Sequence, residues 1–192
     1  FYNCDNPVFD ESGKYLWFTT NQAMNPEYSD FDNTFIYDKS TEIGVITLAK
    51  DGKSLLVPEN DTVNVQEKKI PETDKKTDKK DKKEKKGKKE EGTTDEKKED
   101  IRIDLAGIEA RIEIIPVKAG NMYGLSAAKG KVLYMRADED GMSLRYFDTE
   151  SKEEKTIISK INGYALSADK KKILVMQGNN VAVLEPKENL KF

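Results

Sequence analysis

Apolar residues in this chain come in short runs separated by polar turns. Residues 123–135 read Tyr-Gly-Leu-Ser-Ala-Ala-Lys-Gly-Lys-Val-Leu-Tyr-Met, and residues 164–176 read Tyr-Ala-Leu-Ser-Ala-Asp-Lys-Lys-Lys-Ile-Leu-Val-Met. In each, one apolar run enters, a polar reversal turns the chain and a second apolar run leaves, which is the pattern of a β-hairpin. Gly13 and Gly130 suit the positive-φ position such a turn needs, and Lys171 stands at that point in the last copy. The second run alternates only weakly (Lys131-Val132-Leu133-Tyr134-Met135), as a strand buried on both faces does. No stretch carries the 3.6-residue period of a substantial helix.

The two phrases are copies. Tyr123 and Tyr164, Leu125 and Leu166, Ser126 and Ser167, Leu133 and Leu174, and Met135 and Met176 all pair at a spacing of 41 residues. Strand-like repeats of about 40–45 residues are the signature of a β-propeller blade. Two unrelated hairpins that look alike are the plainer alternative, and five identities in register weigh against it. A third copy, Val8 to Phe18, is one residue shorter in the turn. The expected fold is all-β, with about three four-stranded blades of an incomplete propeller ring. The first blade takes residues 1–66, with inner strands near 6–9 and 14–20 and a third at 42–49, and residues 101–120 return its outer strand over 109–115. The second blade, 121–160, has strands at 122–126, 131–137, 142–148 and 154–158. The third, 161–192, has strands at 163–167, 172–177 and 180–185.

Between the two parts of the first blade lies a charged insert. From Glu67 to Asp100 the chain holds 14 lysines and 12 acids, with Ile70 the only large apolar residue. Such a segment buries too little surface to offset its ordering entropy, so the composition predicts a disordered loop. Interleaved acids cancel most of the field of the lysines, and no aromatic residue stands nearby to stack on bases. A nucleic-acid partner is not expected. The remainder carries 19 basic and 24 acidic residues. Closed propellers have 4–8 blades, so about three blades leave sheet faces and edges uncovered. The chain therefore reads as a piece of a larger protein, with self-association into a six-bladed homo-oligomer as the alternative.

The residues around the insert resemble a known family. Ile103-Asp104-Leu105-Ala106-Gly107-Ile108-Glu109-Ala110-Arg111, then Ile115-Pro116 and Ala119-Gly120-Asn121-Met122-Tyr123, is similar to a stretch in the second propeller of tricorn-type proteases. Trp17-Phe18, Asn21 through Tyr28, Tyr37 and Val45-Ile46-Thr47-Leu48 resemble the blade before that stretch. Ala106 departs from the acidic residue usual there, and Asn121-Met122 adds length before Tyr123. The resemblance implies a propeller segment of a large serine peptidase, with the nucleophile and its partners downstream. Its partners would be the remaining domains of the parent chain and the parent's peptide substrates. Gly107, Arg111, Gly120 and Tyr123 are then motif residues of the propeller, possible neighbours of a peptide path. A TolB-like interaction propeller and the gating propeller of a prolyl-oligopeptidase-like enzyme are the other readings.

Chemistry within these residues is thin. The chain contains no histidine, so no Ser–His or Cys–His pair can form. Gly124-Leu125-Ser126-Ala127-Ala128 lacks the second glycine of a nucleophile elbow, and the repeat equivalence of Ser126 with Ser167 marks a turn position. No catalytic residue is assigned. Asp138-Glu139-Asp140 and Asp30-Phe31-Asp32 are acidic clusters without EF-hand spacing, better read as turns, so no metal is expected. Gly124 and Gly130-Lys131 have the wrong spacing for a phosphate loop, and no cofactor is expected. Lone Cys4 forms no internal disulfide. No run reaches transmembrane length, so no membrane insertion is expected; the compartment stays open between cytoplasm and periplasm. Arg111 is placed on the outer strand with Glu109 two residues away on the same face. There it forms an exposed salt bridge worth about 0–1 kcal/mol, or it faces the peptide path and binds carboxylates.

If residues 67–100 bury nothing, replacing them with a short Gly/Ser linker leaves the melting temperature nearly unchanged. A loss of several kcal/mol in calorimetry counts against that reading, and limited trypsin digestion should cut first among Lys75–Lys89.

Overall fold

A computed structural model describes residues 2–24, 26–57 and 101–190. The charged 67–100 segment lies outside these residues, as do 58–66, which were assigned to the first blade. Strand β1 (Cys4–Phe9) and strand β2 (Tyr15–Thr20) form an antiparallel hairpin. Strands β3 (Pro26–Ser29) and β4 (Thr34–Tyr37) follow as a separate two-stranded hairpin. Strand β5 (Glu42–Thr47) then pairs with β2, a 3-10 turn spans Ile108–Arg111, and strand β6 (Ile112–Ile114) closes a sheet in the order β1-β2-β5-β6. Strands β7 (Asn121–Ala128), β8 (Lys131–Asp138), β9 (Gly141–Asp148) and β10 (Glu154–Ser159) form a four-stranded meander. Strands β11 (Gly163–Leu166), β12 (Ile173–Gln177) and β13 (Asn180–Leu184) form a three-stranded one.

The three larger sheets are propeller blades, stacked through their faces. One core joins Trp17, Ile43 and Val45 of the first blade to Leu125, Val132, Tyr134 and Phe147 of the second. A second core joins Leu133, Met135, Leu144 and Ile157 of the second blade to Ile173 and Val175 of the third. Strand β8 supplies both cores. Val132 and Tyr134 point one way, Leu133 the other, and all three are fully buried. Its weak alternation is therefore a burial pattern, since a strand with apolar residues on both faces has no solvent side to mark. Each such side chain contributes about 1.5–3 kcal/mol of burial.

The turns differ from the repeat's promise. In the second blade Ala128 pairs with Lys131 across a two-residue loop, with Gly130 at φ 68°. In the first and third blades the strands close on wider loops, between Phe9 and Leu16 and between Leu166 and Ile173. Those two loops share one hydrogen-bond plan. Gly13 N–H donates to Asp10 O and Asp10 N–H to Tyr15 O; Lys170 N–H donates to Ser167 O and Ser167 N–H to Lys172 O. The left-handed residue of the third copy is thus Lys170 (φ 57°), not Lys171. Register in a hairpin follows its hydrogen bonds, and alignment by identity alone slipped that turn by one residue.

Two other expectations are corrected. The outer strand expected over 109–115 is a 3-10 turn followed by Ile112–Ile114 alone. Left-handed Gly107 (φ 68°) starts that turn, which bends the chain before it can pair. Ser126 lies inside β7 opposite Leu133, whereas Ser167 caps a turn, so the repeat-related serines occupy different places. Between β2 and β5 the chain adds the β3–β4 hairpin, with a Tyr28–Phe35 cross-strand pair whose ring centroids lie 5.8 Å apart.

A left-handed conformation costs a lysine about 1–2 kcal/mol, partly offset in a glycine variant by the freer unfolded chain. Urea denaturation should therefore find Lys170→Gly more stable than Lys171→Gly by about 1 kcal/mol. The reverse order would place the left-handed residue at Lys171.

Candidate functional site

The four motif residues do not converge on one site. Gly107 is needed for its backbone, because nothing lies within 4 Å of where its Cβ would be, while its φ of 68° strains any other residue. Arg111 ends the 3-10 turn and points back across it. Its Nε donates to Thr47 O at 2.8 Å, Nη1 to Ala106 O at 3.1 Å and Gly107 O at 3.3 Å, and Nη2 to Leu48 O at 3.2 Å and to Asp104 O. A guanidinium has five N–H donors, and five backbone carbonyls face it. Arg111 therefore ties the 104–107 segment to the end of β5 and keeps no donor for a substrate carboxylate. Neither a salt bridge to Glu109 nor a place on a strand face is found for it among the described residues.

Gly120 serves a different contact. It exchanges two backbone hydrogen bonds with Thr41, at 3.1 and 3.0 Å, where the first blade hands over to the second. A Cβ there would sit 3.0 Å from Cζ and Nη2 of Arg136. Tyr123, half-buried on β7 opposite Met135, packs beside the second core. Its repeat partner Tyr164 donates its hydroxyl to Gly124 O at 2.6 Å, and burial pushes that phenol up to about 12.

Arg136 belongs to a charged cluster that sequence reasoning missed. Its side chain is 8% exposed; Nε meets Asp138 Oδ1 at 3.1 Å, Nη1 lies 3.6 Å from Glu154 Oε1, and Nη1 donates to Lys118 O at 2.7 Å. Arg145 meets Asp138 Oδ2 at 2.7 Å and Glu154 Oε2 at 3.4 Å, and its Nε donates to Ser143 Oγ at 3.0 Å. Tyr134 donates to Glu154 Oε1 at 2.6 Å, and its phenol is raised chiefly by burial and then by that carboxylate. Sheet register assembles the group: Tyr134 lies opposite Arg145 and Arg136 opposite Ser143. The legible signal was Arg136 and Asp138 two apart on one strand face; Arg145 and Glu154 enter only through pairing. Two guanidiniums and two carboxylates balance, so the arrangement acts as a clasp across β8, β9 and β10 of the second blade, with Arg136 also holding Lys118 O in the segment that leads into it.

Other candidates fare similarly. Among the described residues no group of three or more Cys, Asp or Glu is placed to hold a metal ion. A polar cleft of about 180 Å³ opens beside β1, near Asn3, Asp5, Asn6 and Thr20. Several of its polar groups already pair, Asn3 N–H with Asn21 Oδ1 and Thr19 Oγ1 with Asp5 O.

Stacked antiparallel sheets of four, four and three strands define a propeller segment. No protein-family model and no curated protein sequence matches the chain. In three dimensions it is similar to the crystal structure of the tricorn protease, with a TM-score of 0.62 at 15% identity. The match covers 96% of this chain and 16% of that one, so the fold is that of a tricorn-like propeller segment.

Arg111→Ala should destabilise by about 2–4 kcal/mol in urea denaturation, because the 104–107 segment loses its tie to the carbonyls of buried Thr47 and Leu48, which lose a charged donor. Arg111→Lys recovers less than half of that, since one ammonium cannot span the fork of acceptors. An effect of Arg111→Ala within about 1 kcal/mol would return Arg111 to the exposed-salt-bridge reading.

Proposed function

We propose that this chain is a non-catalytic propeller segment that forms part of a peptide-access or scaffolding wall for a peptidase's catalytic part. The observation that carries the reading is the fold likeness to a protease over nearly the whole of this chain and a minor part of the other. The chemistry agrees with it. The sequence has no histidine, Ser126 sits in a strand, and the charged cluster is self-neutralised. Rigid blades held by side-chain-to-carbonyl ties suit a wall better than a reacting centre.

Incubated with fluorogenic tri- and tetrapeptides, the chain alone should give no release above buffer. Turnover that Ser126→Ala abolishes would overturn the non-catalytic reading. The reading frame that encodes the chain provides the second arm. A Ser- and His-bearing peptidase domain in it supports the wall, and its absence leaves a non-enzymatic interaction propeller in its place.

A further inference from the structure

The β3–β4 hairpin stands apart from the blades in its chemistry. Tyr28 pairs with Phe35 and Pro26 with Tyr37, so one face gathers Tyr28, Phe35 and Tyr37, all more than half exposed. Phe31, in the connecting turn, is 99% exposed. The turn itself is well made: Asp32 Oδ1 accepts the N–H of Thr34 at 3.3 Å and its hydroxyl at 2.9 Å, and Tyr28 donates to Asn33 Oδ1 at 2.7 Å. A hairpin of two strands is marginal in water on its own, and a third strand is the usual remedy. Among the described residues β4 pairs with β3 alone, and all four residues of β4 keep their N–H groups, whereas Pro26 removes one from β3.

The charge around this edge has one sign. Residues 26–39 hold Glu27, Asp30, Asp32 and Asp38 against Lys39 alone. Lys39 itself lies 3.8 Å from Asp38 and 3.9 Å from Glu139, and Glu139 extends the acidic surface onto the β8–β9 turn. Glu27 and Ile36 share the face opposite the aromatic one.

We propose that the outer edge of β4 is a docking site for an extended polypeptide that alternates apolar with basic residues. The docked segment adds as a third strand, exchanging backbone hydrogen bonds with Thr34–Tyr37. Its apolar side chains lie on the face of Tyr28, Phe35 and Tyr37, and its lysines or arginines lie on the face of Glu27. Period-two alternation follows from strand geometry, and the basic character follows from the four acids. An anionic membrane surface is disfavoured by those same acids. The inference does not rest on the wall reading, because the hairpin is independent of which catalytic domain accompanies the blades.

The probe is a fluorescent synthetic peptide that alternates lysine with valine or leucine, titrated with the full chain at low salt. Saturable binding is expected, with amide NMR shifts centred on residues 26–37 and affinity falling as salt rises. Glu27→Lys with Asp30→Lys should weaken it by about tenfold or more, as should Tyr28→Ser with Phe35→Ser. Unchanged melting temperatures would show that the blades survive, since these side chains lie outside both cores. Absence of binding overturns the proposal, as does equal binding of a glutamate–valine peptide. Shifts centred away from the hairpin, binding to anionic vesicles in preference to the peptide, or self-association through the same residues also overturn it.

Discussion

The fold depends on β8 having no solvent face. Val132 and Tyr134 on one side, and Leu133 on the other, each sit in a core that draws its opposite wall from another blade. Neither core belongs to one sheet. A blade removed from the stack would expose at once the side chains that hold it and those that hold its neighbour. Face-to-face burial therefore sets the blade order, and the hydrogen-bonded registers within each sheet follow from which residues must point which way.

Two arginines then fasten what burial brings together, by different means. Arg111 spends its fork on five main-chain carbonyls, closing the end of β5 over the 104–107 segment. Arg136 is neutralised by Asp138 and Glu154 and still reaches Lys118 O, so its charge is buried without being left alone. Gly120 is the space that second contact needs. Planar multi-donor side chains suit both places, because the acceptors are fixed by the backbone and cannot move to meet a point charge.

That use of charge leaves the arginines and carboxylates of the second blade paired with one another. Reactivity needs a group left poised, with a partner that shifts it and a space beside it for a reactant. Here the half-buried carboxylates Asp138 and Glu154 are matched by guanidiniums, and the raised phenols of Tyr134 and Tyr164 are hydrogen-bonded donors held by burial. Exposed acids and aromatics gather instead on the β3–β4 hairpin, the surface proposed above for docking.

The 41-residue echo between Tyr123–Met135 and Tyr164–Met176 made the all-β propeller class legible, because blade-forming hairpins need the same apolar runs and polar reversals wherever they occur. The double burial of β8 was also legible, in its broken alternation. Tertiary structure alone decided the rest. It moved the left-handed residue to Lys170, since turn hydrogen bonds, not identities, set the register. It placed Arg111 on five carbonyls that lie up to 64 residues away in sequence. It gathered Tyr134, Arg136, Arg145 and Glu154 by strand pairing, which no local pattern encodes. Local physics writes period and turn composition into a sequence; the partner of a long polar side chain is fixed only when distant strands are laid side by side.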